Sequence, residues 1–112
     1  MTSRRPQEQK TEIGRRLRAA REALDLTQAD LCRKFNVATN TYNQWEKGHI
    51  TADVLTLVRI ADRYNITLDW FFRGELGGIR HDLAVKIEEQ FNQMNNNTPT
   101  TLRGRKKSYS GG

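Results

Sequence analysis

The chain has 112 residues, 36% of them hydrophobic, with 19 Lys and Arg against 13 Asp and Glu, a net charge of +6. That length holds one small domain with extensions and excludes two full domains. No apolar run approaches the ~18 residues of a membrane span; the first ten residues lack the apolar core of a secretory signal; and one cysteine, Cys32, excludes a disulfide within the chain and fits a reducing cytosol.

The basic excess points to an anionic partner, with nucleic acid the first candidate. It is concentrated at the ends. Residues 1–21 hold seven basic and two acidic side chains, a net of +5; residues 22–91 hold eight and eleven, a net of −3; residues 92–112 hold four and none, a net of +4. Charged ends that merely keep a small protein soluble are the plainer alternative.

Residues 1–10 have no periodicity and contain Pro6, which predicts a flexible basic N-terminal arm. From Thr11, a candidate N-cap, Ile13, Leu17, Ala20 and Leu24 recur at helical spacing and predict a first helix to about Leu24. Thr27 begins T-Q-A-D, a capping-box variant that opens a second helix with Leu31 and Phe35 on its apolar edge; Asn36 closes it. A third helix is predicted from Thr39 to Lys47, closed by Gly48. Thr51, Ala52 and Asp53 open a fourth, carried by Val54, Leu55, Val58 and Ala61, with Leu57, Ile60 and Tyr64 widening its apolar surface. Thr67 caps a short fifth segment, LDWFFR, that ends at Gly74. After Gly77 and Gly78, Ile79, Leu83, Ile87 and Phe91 recur every four residues and predict an isolated amphipathic sixth helix. Residues 92–112 are rich in Asn, Thr, Gly, Ser and Lys/Arg, and are predicted to be a disordered basic tail. No segment alternates like a strand. The fold class is all-α.

Residues 26–48, two short helices around Asn36, Val37 and Ala38, have the proportions of a helix-turn-helix, in which the second helix enters a DNA major groove. The chain resembles the phage-repressor and Cro-type helix-turn-helix family, the XRE-like regulators. The resemblance rests on Leu17-Arg18, Arg21-Glu22, LTQADL (26–31), Asn36-Val37, WEKG (45–48) and LDWFFRG (68–74), and covers roughly residues 12–75.

The resemblance implies a five-helix repressor-like domain over residues 11–75. Residues 76–91 then form a hinge and helix, and a dimerisation element. It implies base reading by Thr39, Asn40 and Gln44, with Asn43 beside them; Asn and Gln side chains suit the adenine edge, and Thr the thymine methyl. A solvated polar face is the alternative. It also implies that Gln28 approaches a phosphate at a helix start, that Trp45 is a core anchor rather than a base-stacking platform, and that Arg21 and Glu46 form an ion pair beneath. Cys32 stands where the family places a small residue at a close helix crossing, packing rather than sensing redox state. Tyr42 replaces an aliphatic residue and is expected to reach a phosphate from the edge. Lys47, His49 and Thr51 are further phosphate candidates. Ala38 departs from the family's Ser or Thr cap, which would start the third helix one residue later.

Catalysis finds no support, because none of the nucleophile-elbow, metalloprotease or phosphate-loop patterns occurs. His49, His81 and Cys32 lack ligand spacing, so neither a metal nor a cofactor is expected. The reading is a sequence-specific transcriptional regulator, cytoplasmic and at the nucleoid, with double-stranded DNA as partner and no membrane contact or small-molecule domain. Its operator is expected to be an inverted repeat bound by a homodimer, with Trp70, Phe71, Phe72, Ile79, Leu83, Ile87 and Phe91 as the contact between copies. A regulatory protein partner is a further expectation. The alternatives are an antitoxin-type autorepressor with a toxin partner, and a protein- or RNA-binding adaptor built on the same fold.

Overall fold

Helix starts and stops follow the local side chains. Thr27, Asp53 and Thr67 each accept a hydrogen bond from the backbone N–H three residues on, at Asp30, Thr56 and Trp70. Asn36, Asn65, Gly48 and Gly74 take the left-handed conformation that turns the chain off the helix axis. The computed structural model describes residues 5–96, and these signals divide them into six helices. They are α1 (Pro6–Ala23), α2 (Gln28–Phe35), α3 (Thr39–Lys47), α4 (Val54–Tyr64), α5 (Leu68–Arg73) and α6 (His81–Asn96). Among the described residues there is no strand. None of their helices is long and apolar enough to cross a membrane.

α1 is the central element and packs against α3, α5 and α6; α2 packs on α3 and α4, and α4 on α5. Leu17, Leu31, Tyr42, Leu57, Ile60, Phe71 and Ile87 are fully enclosed between them. Burying a side chain of this size stabilises by about 1.5–3 kcal/mol, so residues from every helix contribute to a single core.

Some expectations are corrected. α1 begins at Pro6, not Thr11. Proline at the first helical position is pre-set for a helix rather than a break in one. Glu8 accepts from the Arg5 backbone N–H at 3.3 Å, and Thr11 Oγ1 donates to the Gln7 carbonyl at 3.0 Å from inside the helix. α3 runs from Thr39 to Lys47 as expected, although Ala38 supplies no side-chain cap. On α4, Leu57, Ile60 and Ala61 are buried, while Val54 and Leu55 stand 53% and 72% exposed.

The largest correction concerns α6. Leu83 and Ile87, with Ile79 in the turn before it, are buried inside this chain, and Phe91 is half-buried. α6 lies along α1 instead of standing isolated. The Phe91 ring meets Trp70 edge to face at 5.6 Å between centroids. Trp70 and Phe71 are buried and Phe72 half-buried, since α5 is covered by α1 and α4 as well as by Phe91. Five of these seven side chains are thus buried within this chain, and Phe72 and Phe91 are half-buried. α6 also continues to Asn96, five residues into the segment predicted to be disordered. The rest of that tail, with Arg103, Arg105, Lys106 and Lys107, lies outside the described residues, as does the arm before Arg5.

Candidate nucleic-acid interface

A helix advances about 100° per residue, which sorts the side chains of α3 into two faces. Tyr42, Trp45 and Glu46 point inward and are buried. Asn40, Gln44 and Lys47 fall on the opposite face; Asn40 and Lys47 are exposed and Gln44 is half-exposed. Thr39 is exposed at the helix start, and Asn43 sits at the edge facing α2. Of the polar residues singled out on α3, Asn40 and Gln44 thus share the outer face with Lys47, while Thr39 reaches the Cys32 thiol and Asn43 faces α2. His49 and Thr51, just past the Gly48 turn, are also exposed. The His49 Nδ1 lies 2.6 Å from Gln44 Oε1.

Beneath this surface, Glu46 Oε2 accepts from Arg21 Nε at 2.7 Å and Glu46 Oε1 from Arg21 Nη2 at 3.1 Å, a two-pronged bond between α3 and α1. Arg21 Nη1 donates to the Leu26 carbonyl at 2.8 Å, fixing the connection into α2. Burial opposes the Arg21 charge, yet the bonds and charge of Glu46 outweigh it and hold the guanidinium above its ordinary pKa.

Two expected phosphate contacts are redirected. Gln28 Nε2 donates to Glu46 Oε1 at 2.9 Å and faces Asn43 Oδ1 at 3.4 Å. Its amide hydrogens are committed inward, which leaves the backbone N–H groups of Gln28 and Ala29 as the first-turn donors of α2 that the Thr27 cap does not take. Tyr42 is 1% exposed and its hydroxyl is buried with no hydrogen-bond partner. It packs edge to face on Trp45 at 5.7 Å. Burial, reinforced by the Glu46 charge, raises the phenol's pKa and keeps it neutral. It is a core residue, not an edge donor.

Trp45 is likewise buried, as a core anchor. Cys32 is buried as well, and burial raises its thiol pKa against a partial offset from the Thr39 side chain. A thiol so placed packs rather than reacts. Among the described glycines, the tightest approach is at Gly14. A Cβ there would stand 2.4 Å from the Trp45 carbonyl oxygen and 2.6 Å from that of Glu46, so only glycine lets α1 cross α3 this closely. Gln7 Nε2 adds a bond to the Gly48 carbonyl at 2.9 Å. α1 thereby grips both the back and the end of α3.

A family model described as helix-turn-helix matches residues 17–71, from the middle of α1 through α5. Residues 17–71 belong to the helix-turn-helix family. The chain's similarity to the HTH-type transcriptional regulator ImmR of Bacillus subtilis (strain 168) is 29% identity over 58 residues, 52% of this chain and 46% of the relative. The helix-turn-helix chain thus spans about half the length of the curated relative it matches. No solved structure matches it significantly.

Three supports of this helix-turn-helix were not singled out in the sequence. Gly14 had a signal, a lone glycine inside a helical pattern. Gln7 lay in the segment read as an arm. Arg16 Nη1 donates to the Phe71 carbonyl at 3.2 Å inside the core while its Nη2 pairs with Glu12 at 3.0 Å. A charged residue on an amphipathic helix carries no signal of such burial.

Proposed function

We propose that this chain is a sequence-specific DNA-binding transcriptional regulator that reads the major groove with α3. The observation that carries the reading is the shared outer face of Asn40, Gln44 and Lys47, on a helix clamped from behind by Arg21, Glu46 and Gly14. Asn and Gln amides match base edges, and a lysine at the end of the row matches a phosphate. Thr39 and Asn43 flank that row, and the first turn of α2 turns its N–H groups towards the backbone of the duplex. His49 and Thr51 border the same surface. The name of the Bacillus subtilis relative supports transcription as the process regulated.

One recognition helix reads only a few base pairs, so two copies on an inverted repeat provide the specificity. With the α6 stripe buried, the contact between copies falls to Ile50, Val54 and Leu55. These are exposed apolar residues between the end of α3 and the first turn of α4. The test is selection of bound sites from random DNA with the wild-type chain and Gln44→Ala. A symmetric site, with preference at one position per half-site lost in the variant, is expected. Equal binding to all sequences by the wild type defeats the proposal.

A further inference from the structure

The left-handed turn at Gly48 (φ +79°) folds the chain back along α3, and it places residue 49 beside residue 44. The His49 backbone N–H donates to the Gln44 carbonyl at 3.0 Å, the long bond that closes such a helix end. The same two residues also meet through their side chains, His49 Nδ1 to Gln44 Oε1 at 2.6 Å. His49 is therefore held to Gln44 twice, by backbone and by ring. An amide oxygen only accepts, so the ring nitrogen facing it carries the proton.

We infer that His49 is a positioning residue for base recognition, holding the Gln44 amide in one of its two orientations so that a single donor–acceptor pattern faces the DNA. This rests on the reading of α3 as the recognition helix. A free glutamine amide turns over readily, since its terminal torsion is broad and two-fold. Flipped, it exchanges acceptor for donor and so accepts a different base edge. With Nδ1 protonated, the flipped amide would set N–H against N–H, so the flipped state opens only if the ring also moves its proton to Nε2. The oxygen is turned towards residue 49 and Nε2 is left to donate outward. His49 thus sharpens the choice of base without touching it. This differs from its expected role as a phosphate contact.

Two experiments test the assignment. In the free protein at neutral pH, ¹⁵N shifts of the His49 ring are expected to report a protonated Nδ1, and an unprotonated Nδ1 overturns it. On DNA, Gln44→Ala first identifies the base position that Gln44 reads, where a good side chain–base pair discriminates by roughly tenfold or more. His49→Ala is expected to reduce discrimination at that position severalfold, leaving the other positions, the melting temperature and affinity for random DNA unchanged. His49→Asn restores it, since the asparagine amide can offer an N–H near the same place. In the Gln44→Ala background, His49→Ala changes nothing further. Undiminished discrimination in His49→Ala overturns the role of His49 alone. So does a loss shared by random DNA and persisting without Gln44, which marks a phosphate contact. Unaltered base preference in Gln44→Ala overturns the reading of α3 itself, and the role of His49 with it.

Discussion

Tyr42 and Gln28 each sit on the helix-turn-helix, and each side chain is turned inward. The Tyr42 hydroxyl is enclosed beside the Glu46 carboxylate without a hydrogen bond of good geometry, so deleting it costs little bonding and removes a desolvated polar group. Tyr42→Phe is expected to leave stability unchanged or raise it by up to about 1 kcal/mol, with DNA affinity unaltered, as read by urea denaturation and a binding titration. A drop in affinity would return Tyr42 to the phosphate contacts. Asp30 gives a pH prediction. The Thr27 backbone N–H at 3.0 Å, then the Thr27 side chain, then Arg33 at 2.7 Å, hold its carboxyl below the usual carboxylate range. A carboxyl lowered in the folded state stabilises fully above its unfolded pKa, and the contribution is lost as pH falls through the folded one. The urea midpoint of the wild type should therefore fall on acidification below about pH 4. Asp30→Asn should begin lower at neutral pH and fall less steeply.

At the scale of the element, the position of α3 depends on the surface it is set against. Glycine to alanine inside an exposed helix gains about 1 kcal/mol. At Gly14 the added methyl meets two backbone carbonyls rather than flexible side chains, so α1 and α3 must separate. Gly14→Ala is expected to cost about 1–3 kcal/mol and to weaken DNA binding by displacing α3, measured by thermal unfolding and titration. A stabilised variant with intact binding would mean that the crossing is looser than it stands here. The caps, by contrast, were legible beforehand at Thr27, Asn36, Gly48, Thr67 and Gly74, because each acts on its own turn. Pro6 was misread, since the same residue starts a helix or breaks one depending on whether the following residues find something to pack on.

For the whole molecule, burial of the α6 stripe separates stability from self-association. Ile87 is fully enclosed, so Ile87→Ala is expected to cost about 2–5 kcal/mol while leaving sedimentation behaviour unchanged. Leu55 is 72% exposed, and Leu55→Glu is expected to weaken pairing of copies by about tenfold with little change in unfolding. If Ile87→Ala instead abolished pairing in a chain that stayed folded, the α6 face would be the contact after all.

The sequence by itself determined the helical class, nearly every helix end, the Arg21–Glu46 pair and the polar row of α3. Periodicity, caps and the family resemblance act within a few residues or at matched positions, and all are readable along a line. Only the tertiary structure decided what each apolar face covers. The spacing of Ile79, Leu83, Ile87 and Phe91 states that a face must be buried but not against what; α1 supplied the partner from within the chain, through Leu17, Ala20 and their neighbours. The inward turn of Gln28, the enclosure of Tyr42, the close crossing at Gly14 and the bond from His49 to Gln44 were decided in the same way. Each depends on a distance set by the folded backbone, which no pattern of residue types encodes.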